Sequence, residues 1–260
     1  MQRKFGLICE NPTGTEEVSL ELLKKYGFSN FFSETYDLEG VKKLREKADE
    51  LGLEYEFIHG PFHGINAMWE SEETPEIYKE LLKSIDVASA VKVKTVIVHV
   101  SSGWTAPKIN DRGLSRYDSL VEYAREKGVC LAFENLRKLG NVAYLLDRYE
   151  RCENVGFCYD CGHEHCYTVT VPFAKLFGKK FLCTHLHDNF GLLYEGYNGD
   201  DHLLPFDGNI DYKRVMDGLN EIHYQGSLML EVPFAHYPNM TAEEFVKTAY
   251  ERVQKLSELV

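Results

Sequence analysis

The chain has 260 residues, and its 41 aspartates and glutamates outnumber its 29 lysines and arginines, which gives a formal net charge of -12. Apolar residues make up 44% of the chain, enough for a sizeable core. Proteins that neutralise a phosphate backbone present clustered lysine and arginine, so this acidic balance argues against nucleic acid as a partner.

The cysteine count and the apolar runs indicate the cellular setting. No segment approaches the roughly 18 consecutive apolar residues of a membrane span, and the start at Met1 leads into a strand-like run instead of a signal peptide. Seven cysteines are an odd number in a chain large enough to fold without disulfides. We therefore expect a cytoplasmic protein with no membrane partner. The oligomeric state stays open, a homo-oligomer included.

Eight short runs rich in β-branched and aromatic residues predict strands at 4–9, 30–35, 54–59, 95–100, 129–134, 155–160, 181–186 and 227–232. Between them, apolar residues recur at spacings of three and four, as expected of helices packed on a sheet. Gly27, Gly52 and Gly128 mark three helix ends, and Asp211 and Thr241 are candidate N-caps. The clearest helical stripes are Val18, Leu22, Leu23 and Tyr26; Val41, Leu44, Ala48 and Leu51; and Ile77, Leu81, Leu82, Ile85 and Ala88.

This alternation of strand and helix predicts an α/β fold, a (β/α)8 TIM barrel formed as a single domain over residues 1–260. A doubly wound open sheet is the alternative, but the residues after the first run, 10–14, are no dinucleotide-binding fingerprint. The stretch 189–209 has few strand formers and is interpreted as an active-site loop.

Histidines concentrate where the predicted strands end, which is where a barrel of this kind places its chemistry. Of the ten histidines, all but His223 lie at or just beyond a strand end. Scattered surface histidines would not be partitioned in this way, so we predict a site built from them. The nine are His59, His63, His99, His163, His165, His185, His187, His202 and His236.

Three carboxylates, Glu134, Asp160 and Glu231, each end an apolar run, and they would repel one another at one barrel mouth if all were ionised. Either some of them are protonated or a divalent cation lies among them. His185 at the end of the seventh run completes a four-ligand set that suits Mn, Mg, Co or Zn. A single glutamate at a strand end is more often salt-bridged or solvated, but four ligand-type residues on four successive strands favour a metal.

The cysteine-rich segment 158–166 offers a superficial zinc-knuckle spacing between Cys158 and Cys161. Strand alternation places Cys158 on the same face as Asp160, and no second cysteine pair completes a tetrahedral site. We therefore interpret these cysteines as core or loop residues.

Across essentially its whole length, the chain resembles the xylose isomerase-like barrel superfamily, which includes sugar phosphate isomerases and epimerases, inosose-type enzymes and the endonuclease IV branch (AP endonuclease family 2). The resemblance is carried by Glu134, by the motif DCGH at 160–163, by HLHDN at 185–189, by DDHLLPFDGNID at 200–211 and by Glu231. These motifs are specific for the superfamily and not for one substrate.

For a ketohexose epimerase, the resemblance implies that Glu134, Asp160, His185 and Glu231 hold the metal. The resemblance also implies that the two glutamates exchange the substrate proton and that His163 binds substrate. We expect His99 and His187 to bind substrate as well, although the residues alone do not decide between His185 and His187 as the ligand. The arginine expected shortly after the seventh strand is absent from residues 188–191, which leaves the substrate class open.

For the endonuclease IV branch, the resemblance implies three zinc ions, and each of the nine ligand types has a candidate here. Beyond the four residues above, the possible additional metal ligands are His59, His99, His163, Asp200 and His202. The acidic charge and the lack of basic or intercalating loops argue against DNA. A non-catalytic sugar-binding barrel is a third interpretation, disfavoured by the glutamate pair.

The predicted activity is therefore a metal-dependent isomerase or epimerase acting on a small ketose, aldose or inosose-type sugar. The metal would chelate a carbonyl and its neighbouring hydroxyl and stabilise an enediolate, while Glu134 and Glu231 move the proton. Without a lysine or arginine cluster near the strand ends, we favour an unphosphorylated substrate. The loop aromatics Phe62, Trp69, Trp104, Phe190, Tyr194 and Tyr197 and the carboxylates Glu10 and Glu34 are weaker pocket candidates.

Overall fold

A computed structural model describes residues 3–9, 18–169, 171–194 and 198–259. Glu10 and Tyr197, two of the weaker pocket candidates, lie outside these described residues. The described chain alternates strands and helices in the predicted order. The strands are β1 (Phe5–Ile8), β2 (Asn30–Ser33), β3 (Glu54–His59), β4 (Thr95–His99), β5 (Cys130–Glu134), β6 (Val155–Asp160), β7 (Phe181–His185) and β8 (Leu228–Leu230).

All eight strands pair in parallel in one sheet, with each strand beside its sequence neighbour from β1 to β7 and with β8 beside β1. The sheet curves so that its two edge strands, β7 and β8, meet through residues just past the end of β7. There the Leu186 amide donates to the Met229 carbonyl at 2.8 Å, and the Glu231 amide donates to the Leu186 carbonyl at 3.1 Å. The prediction of a (β/α)8 TIM barrel is confirmed, and the doubly wound open sheet is excluded.

The helices lie outside the barrel, and several begin at the predicted caps. Asp211 and Thr241 accept hydrogen bonds from the third residue of their helices, and Gly27 and Gly52 end two others in the left-handed region. The helices are α1 (Leu20–Tyr26), α2 (Leu38–Leu51), α3 (Ala67–Glu70), α4 (Glu76–Ala90), α5 (Asp111–Glu126), α6 (Leu139–Arg148), α7 (Cys161–Tyr167), α8 (Phe173–Phe177), α9 (Tyr212–Glu221) and α10 (Ala242–Ser257), with 3-10 turns at Gly178–Lys180 and Phe234–His236.

The observed strands are shorter than the predicted runs at several ends. β7 ends at His185 and β8 at Leu230, so Glu231 follows its strand instead of ending it. No helix in the described ranges is long and apolar enough to cross a membrane. All seven cysteines are free thiols, and Cys158 and Cys161 are buried, as expected of core residues.

The loop between β3 and α4 is anchored by Trp69, which is fully buried and donates from Nε1 to the Val100 carbonyl at 2.8 Å. Its indole packs directly on the first turn of α5, where a Cβ added at Gly113 would lie 1.9 Å from Cε3 of the ring. Arg116 holds the same loop by donating to the carbonyls of Ala67 and Met68 at 3.0 and 2.8 Å. Trp69 is therefore a buried packing residue.

We predict that Gly113→Ala destabilises the protein by about 1 to 3 kcal/mol, because the helix backbone cannot move away from the buried indole without strain. The matched control is Gly140→Ala in α6, where an added Cβ meets nothing within 4 Å. There alanine should be neutral or slightly stabilising, since it has the higher helix propensity. Urea unfolding of both variants measures the difference, and equal stabilities would contradict this packing.

Candidate metal centre

The carboxyl ends of β5 to β8 bring four predicted ligands together. Glu134, Asp160 and His185 end their strands, and Asp160 and His185 are Cα partners in the sheet. Nδ1 of His185 lies 3.1 Å from a carboxylate oxygen of Glu134 and 3.1 Å from one of Glu231. With Asp160, one ligand atom from each residue lies within 4.8 Å of the others. We call these four residues the central group.

The local fold fixes two members of the central group. Asp160 ends β6 and is also the N-cap of α7, where its Oδ1 accepts from the His163 amide at 2.6 Å. This capping bond sets the direction of the carboxylate. The His185 ring stacks on Phe32 with 5.1 Å between ring centroids, and Phe57 lies beside it at 5.5 Å. The imidazole is therefore held by the apolar interior of the barrel.

Two more histidines approach Glu134 from the neighbouring strands. Nε2 of His99 lies 3.0 Å and Nε2 of His59 lies 3.5 Å from the Oε2 atom of Glu134. Nδ1 of His59 lies 2.8 Å from the Gly60 carbonyl, and this contact orients the ring with Nε2 toward Glu134. The Phe62 ring stacks on His99 at 4.7 Å. These two histidines therefore extend the site toward β3 and β4.

A second group, formed by His163, His187, Asp200 and His202, lies beside Asp160. Asp200 contacts His163 and His202 at 3.2 Å each, and Nε2 of His187 lies 3.2 Å from Asp160. The His187 and His202 rings stack with their centroids 3.8 Å apart. His202 has a φ of 47°, a left-handed conformation that is uncommon for a residue other than glycine. The active-site loop predicted at 189–209 thus supplies Asp200 and His202.

The carboxylates of the two groups pair only with histidines in the described part of the chain. Burial alone would raise the pKa of Glu134 and Glu231, but His185 and neighbouring histidines lower it, to about 2 for Glu231. Burial opposes protonation of His185, yet Glu231 and Glu134 raise its pKa well above the ordinary value. Asp200 likewise outweighs burial and raises the pKa of His202 to about 9. The carboxylates of the site therefore stay anionic, and they require positive charge close by.

Several buried polar atoms of these groups make no hydrogen bond of acceptable geometry within the described ranges, although some lie close to a charged neighbour. They include Nε2 of His185, Oε2 of Glu231, Oδ1 of Asp200 and the Nδ1 atoms of His163 and His187. Buried polar groups are normally satisfied, so these atoms require a ligand, water or ion. Carboxylate and imidazole donors together are a set that suits a divalent cation. The side chains present fit the predicted metal.

Other sequence candidates lie apart from the two groups. His63, His165 and His236 belong to no candidate ligand set among the described residues, and Glu34 is exposed. The sequence leaves open whether His185 or His187 is the metal ligand of the central group. Because β7 ends at His185, His187 belongs to the second group instead, a candidate ligand that the predicted ligand set omits.

Two further residues near the site, Tyr167 and Arg137, were missed. The Tyr167 ring stacks on His163 at 5.7 Å, and the Arg137 guanidinium lies 4.0 Å from the Tyr167 ring centroid. Tyr167 follows His163 by four residues on α7, a spacing that indicates contact once this helix is known. No signal in the sequence points to Arg137.

The fold and these side chains identify the family. A family profile described as xylose isomerase-like TIM barrel matches residues 20–255, and the chain belongs to that family. The predicted membership is confirmed.

Relatives of known and unknown activity align over most of the chain. An uncharacterized protein, y4fM of Sinorhizobium fredii, is 27% identical over 93% of this chain and 88% of its own. An inosose isomerase of Bacillus velezensis is 24% identical over 95% of both chains. A crystal structure of the IolI protein with a bound zinc atom superposes with a TM-score of 0.71 at 21% identity, covering 96% of this chain and 97% of that chain. The chain thus has the fold of sugar isomerases and epimerases.

Gly162 provides a test of how His187 supports the central group. A Cβ at position 162 would lie 2.0 Å from Cε1 of His187, whose Nε2 contacts Asp160. We predict that Gly162→Ala displaces the ring and weakens zinc binding by roughly 10- to 100-fold, the usual cost of losing a side chain that orients a ligand. Competition with a chromophoric chelator measures the affinity. Gly140→Ala is the control, and an unchanged affinity in Gly162→Ala would contradict the prediction.

Proposed function

We propose that the protein is a metal-dependent sugar isomerase or epimerase whose metal is held by the central group. The observation that carries the proposal is the convergence of Glu134, Asp160, His185 and Glu231 within 4.8 Å at the barrel mouth. The family supports it, as do the inosose isomerase relatives and the zinc bound in the IolI structure. A small ketose, aldose or inosose-type ketone is the substrate class, and Mn, Zn, Mg or Co is the metal.

Glu134 and Glu231 are the proton-transfer residues of this proposal. They come from β5 and from the end of β8, so they approach the same imidazole nitrogen from different strands. Their lowered pKa values keep both carboxylates anionic in the free protein. One carboxylate would take the proton from the carbon next to a substrate carbonyl, and the other, after acquiring a proton from solvent, would deliver that proton to the opposite face. When bound, a divalent metal supplies Lewis-acid polarisation of that carbonyl.

His163 is a proposed substrate-binding residue that contacts both Glu134 and Asp200. Its Nδ1 lies 3.3 Å from Glu134 and its Nε2 lies 3.2 Å from Asp200, so it connects the central group to the second group. Burial opposes its protonation, but Asp160 and Asp200 raise the pKa of His163 well above the ordinary value. A protonated His163 would donate a hydrogen bond to a substrate oxygen. His99 and His187, each in contact with a carboxylate of the central group, are the other proposed substrate contacts.

A zinc phosphodiesterase of the endonuclease IV type, acting on abasic DNA, is the second candidate function. The observation that favours it is that His59, His99 and the second group lie against the central group, so all nine ligand types are assembled. The net charge of -12 opposes it, because a duplex backbone needs a basic surface.

We predict that Glu231→Gln leaves the protein folded and lowers turnover by about 10² to 10⁴, because the amide cannot accept the proton. The measurement is deuterium exchange from solvent into a panel of ketoses, aldoses and inososes, followed by NMR with added metal. Glu34→Gln is the matched control, since this exposed carboxylate also follows a strand end.

Two results would contradict the proposal in different ways. If Glu231→Gln exchanges deuterium into the sugars as fast as the unchanged protein, Glu231 is not an acid or base of the reaction. Cleavage of abasic-site DNA by the zinc-loaded protein, with no exchange in any sugar, would replace the proposal by the second candidate.

A further inference from the structure

Arg137 lies at the rim of the barrel mouth, three residues after Glu134 in the loop between β5 and α6. Its Nη2 atom donates to the Tyr167 hydroxyl and to the Asn198 side-chain oxygen. Each of these three positions is tied by the chain to a residue of the site. Glu134 precedes Arg137 by three residues, His163 precedes Tyr167 by four, and Asp200 follows Asn198 by two. The guanidinium is therefore held at the mouth by contacts with two other segments, those of Tyr167 and Asn198.

A stack of rings connects Arg137 to the second group. The guanidinium lies 4.0 Å from the Tyr167 ring centroid and 5.8 Å from the Trp104 ring. Tyr167 in turn stacks on His163 with an interplanar angle of 24°. One aromatic ring thus separates the cation from a side chain of the second group. Trp104 is 57% exposed, so the outer side of this stack is open to solvent.

The charge of Arg137 is not neutralised by any carboxylate within the described ranges. Its two acceptors are neutral, and both are reached through one nitrogen. By contrast, Arg148 and Arg214 have a carboxylate at 2.6 and 2.7 Å, and Arg116 donates to four backbone carbonyls. A half-buried guanidinium with donors to spare presents a fork that matches a carboxylate or phosphate.

We propose that Arg137 binds an oxyanion, a phosphate or carboxylate, carried by the substrate at the end remote from the reacting carbons. The proposal rests on the proposed function for the location of the reacting carbons and deepens it by assigning an anionic sugar derivative as substrate. The exposed Trp104 ring beside the guanidinium offers a face for the sugar carbons between the two ends. The sequence alone favours an unphosphorylated substrate, because no cluster of basic residues lies near the strand ends. In the folded chain, a single arginine at the mouth provides the positive charge that an anionic substrate needs.

The test is calorimetric binding of three ketoses to the metal-loaded protein: fructose, fructose 6-phosphate and fructuronate, which differ only at the terminal carbon. We expect at least one anion to bind about tenfold or more tightly than fructose, as one charged hydrogen bond provides. Arg137→Gln should abolish that preference and leave fructose binding unchanged. Arg137→Lys, which keeps the charge without the fork, should retain part of it. The preferred anion identifies the source, phosphate or carboxylate.

The neighbouring Lys138→Gln is the control, because it removes the same charge from an exposed side chain at the next position. It should leave all three affinities unchanged. Thermal unfolding of each variant shows whether the loop has lost its structure. Equal binding of the three ketoses, or an anion preference that survives in Arg137→Gln, would overturn the inference.

Deuterium exchange into the same three ketoses separates this inference from the proposed function. If the protein exchanges deuterium into fructose but Arg137→Gln does not change the binding of the anionic ketoses, the isomerase proposal stands and the anion site is rejected. Anion binding that depends on Arg137 without exchange in any sugar would support the anion site and reject the isomerase.

Discussion

Glu134, Asp160 and Glu231 lie buried at one mouth of the barrel, and only histidines pair with them among the residues that the structure describes. Two carboxylates about 4 Å apart repel each other by roughly 4 kcal/mol at the dielectric constant typical of protein sites. Three such groups cannot remain anionic without nearby positive charge. The histidines supply part of it when protonated, and a divalent cation with the same ligand atoms would supply it permanently. The rest of the site is arranged around this requirement.

The barrel meets this requirement because parallel strands deliver their last residues to one end. Glu134, Asp160 and His185 come from three adjacent strands, and Glu231 joins them where the edges of the sheet meet beside Leu186. Aromatic packing below His185 fixes the base of the site, and the loop residues Asp200 and His202 cover its side. Under the proposed function, a metal held in this site would polarise a substrate oxygen, and the glutamates would move a proton near it.

Sequence reasoning predicted the strands and the central group, because apolar runs that end in a polar residue are local signals. It could not place His187, since its role depends on β7 ending at His185 instead of one residue later. Nor could it find Arg137, which owes its position to contacts with Tyr167 and Asn198, both distant in sequence. The left-handed backbone of His202 is likewise set by the loop as a whole. Strand ends are thus predictable, and the loops that complete the site are not.

Elemental mass spectrometry of the purified protein tests the central claim most directly, with His59→Ala/His202→Ala and Asp160→Asn measured beside it. The isomerase account predicts about one divalent metal ion per chain, kept in the histidine double variant and lost in Asp160→Asn. Two or three zinc ions that fall in the double variant would support the phosphodiesterase instead. A folded protein that binds no divalent metal, or a metal content unchanged in Asp160→Asn, would contradict a metal site in the central group.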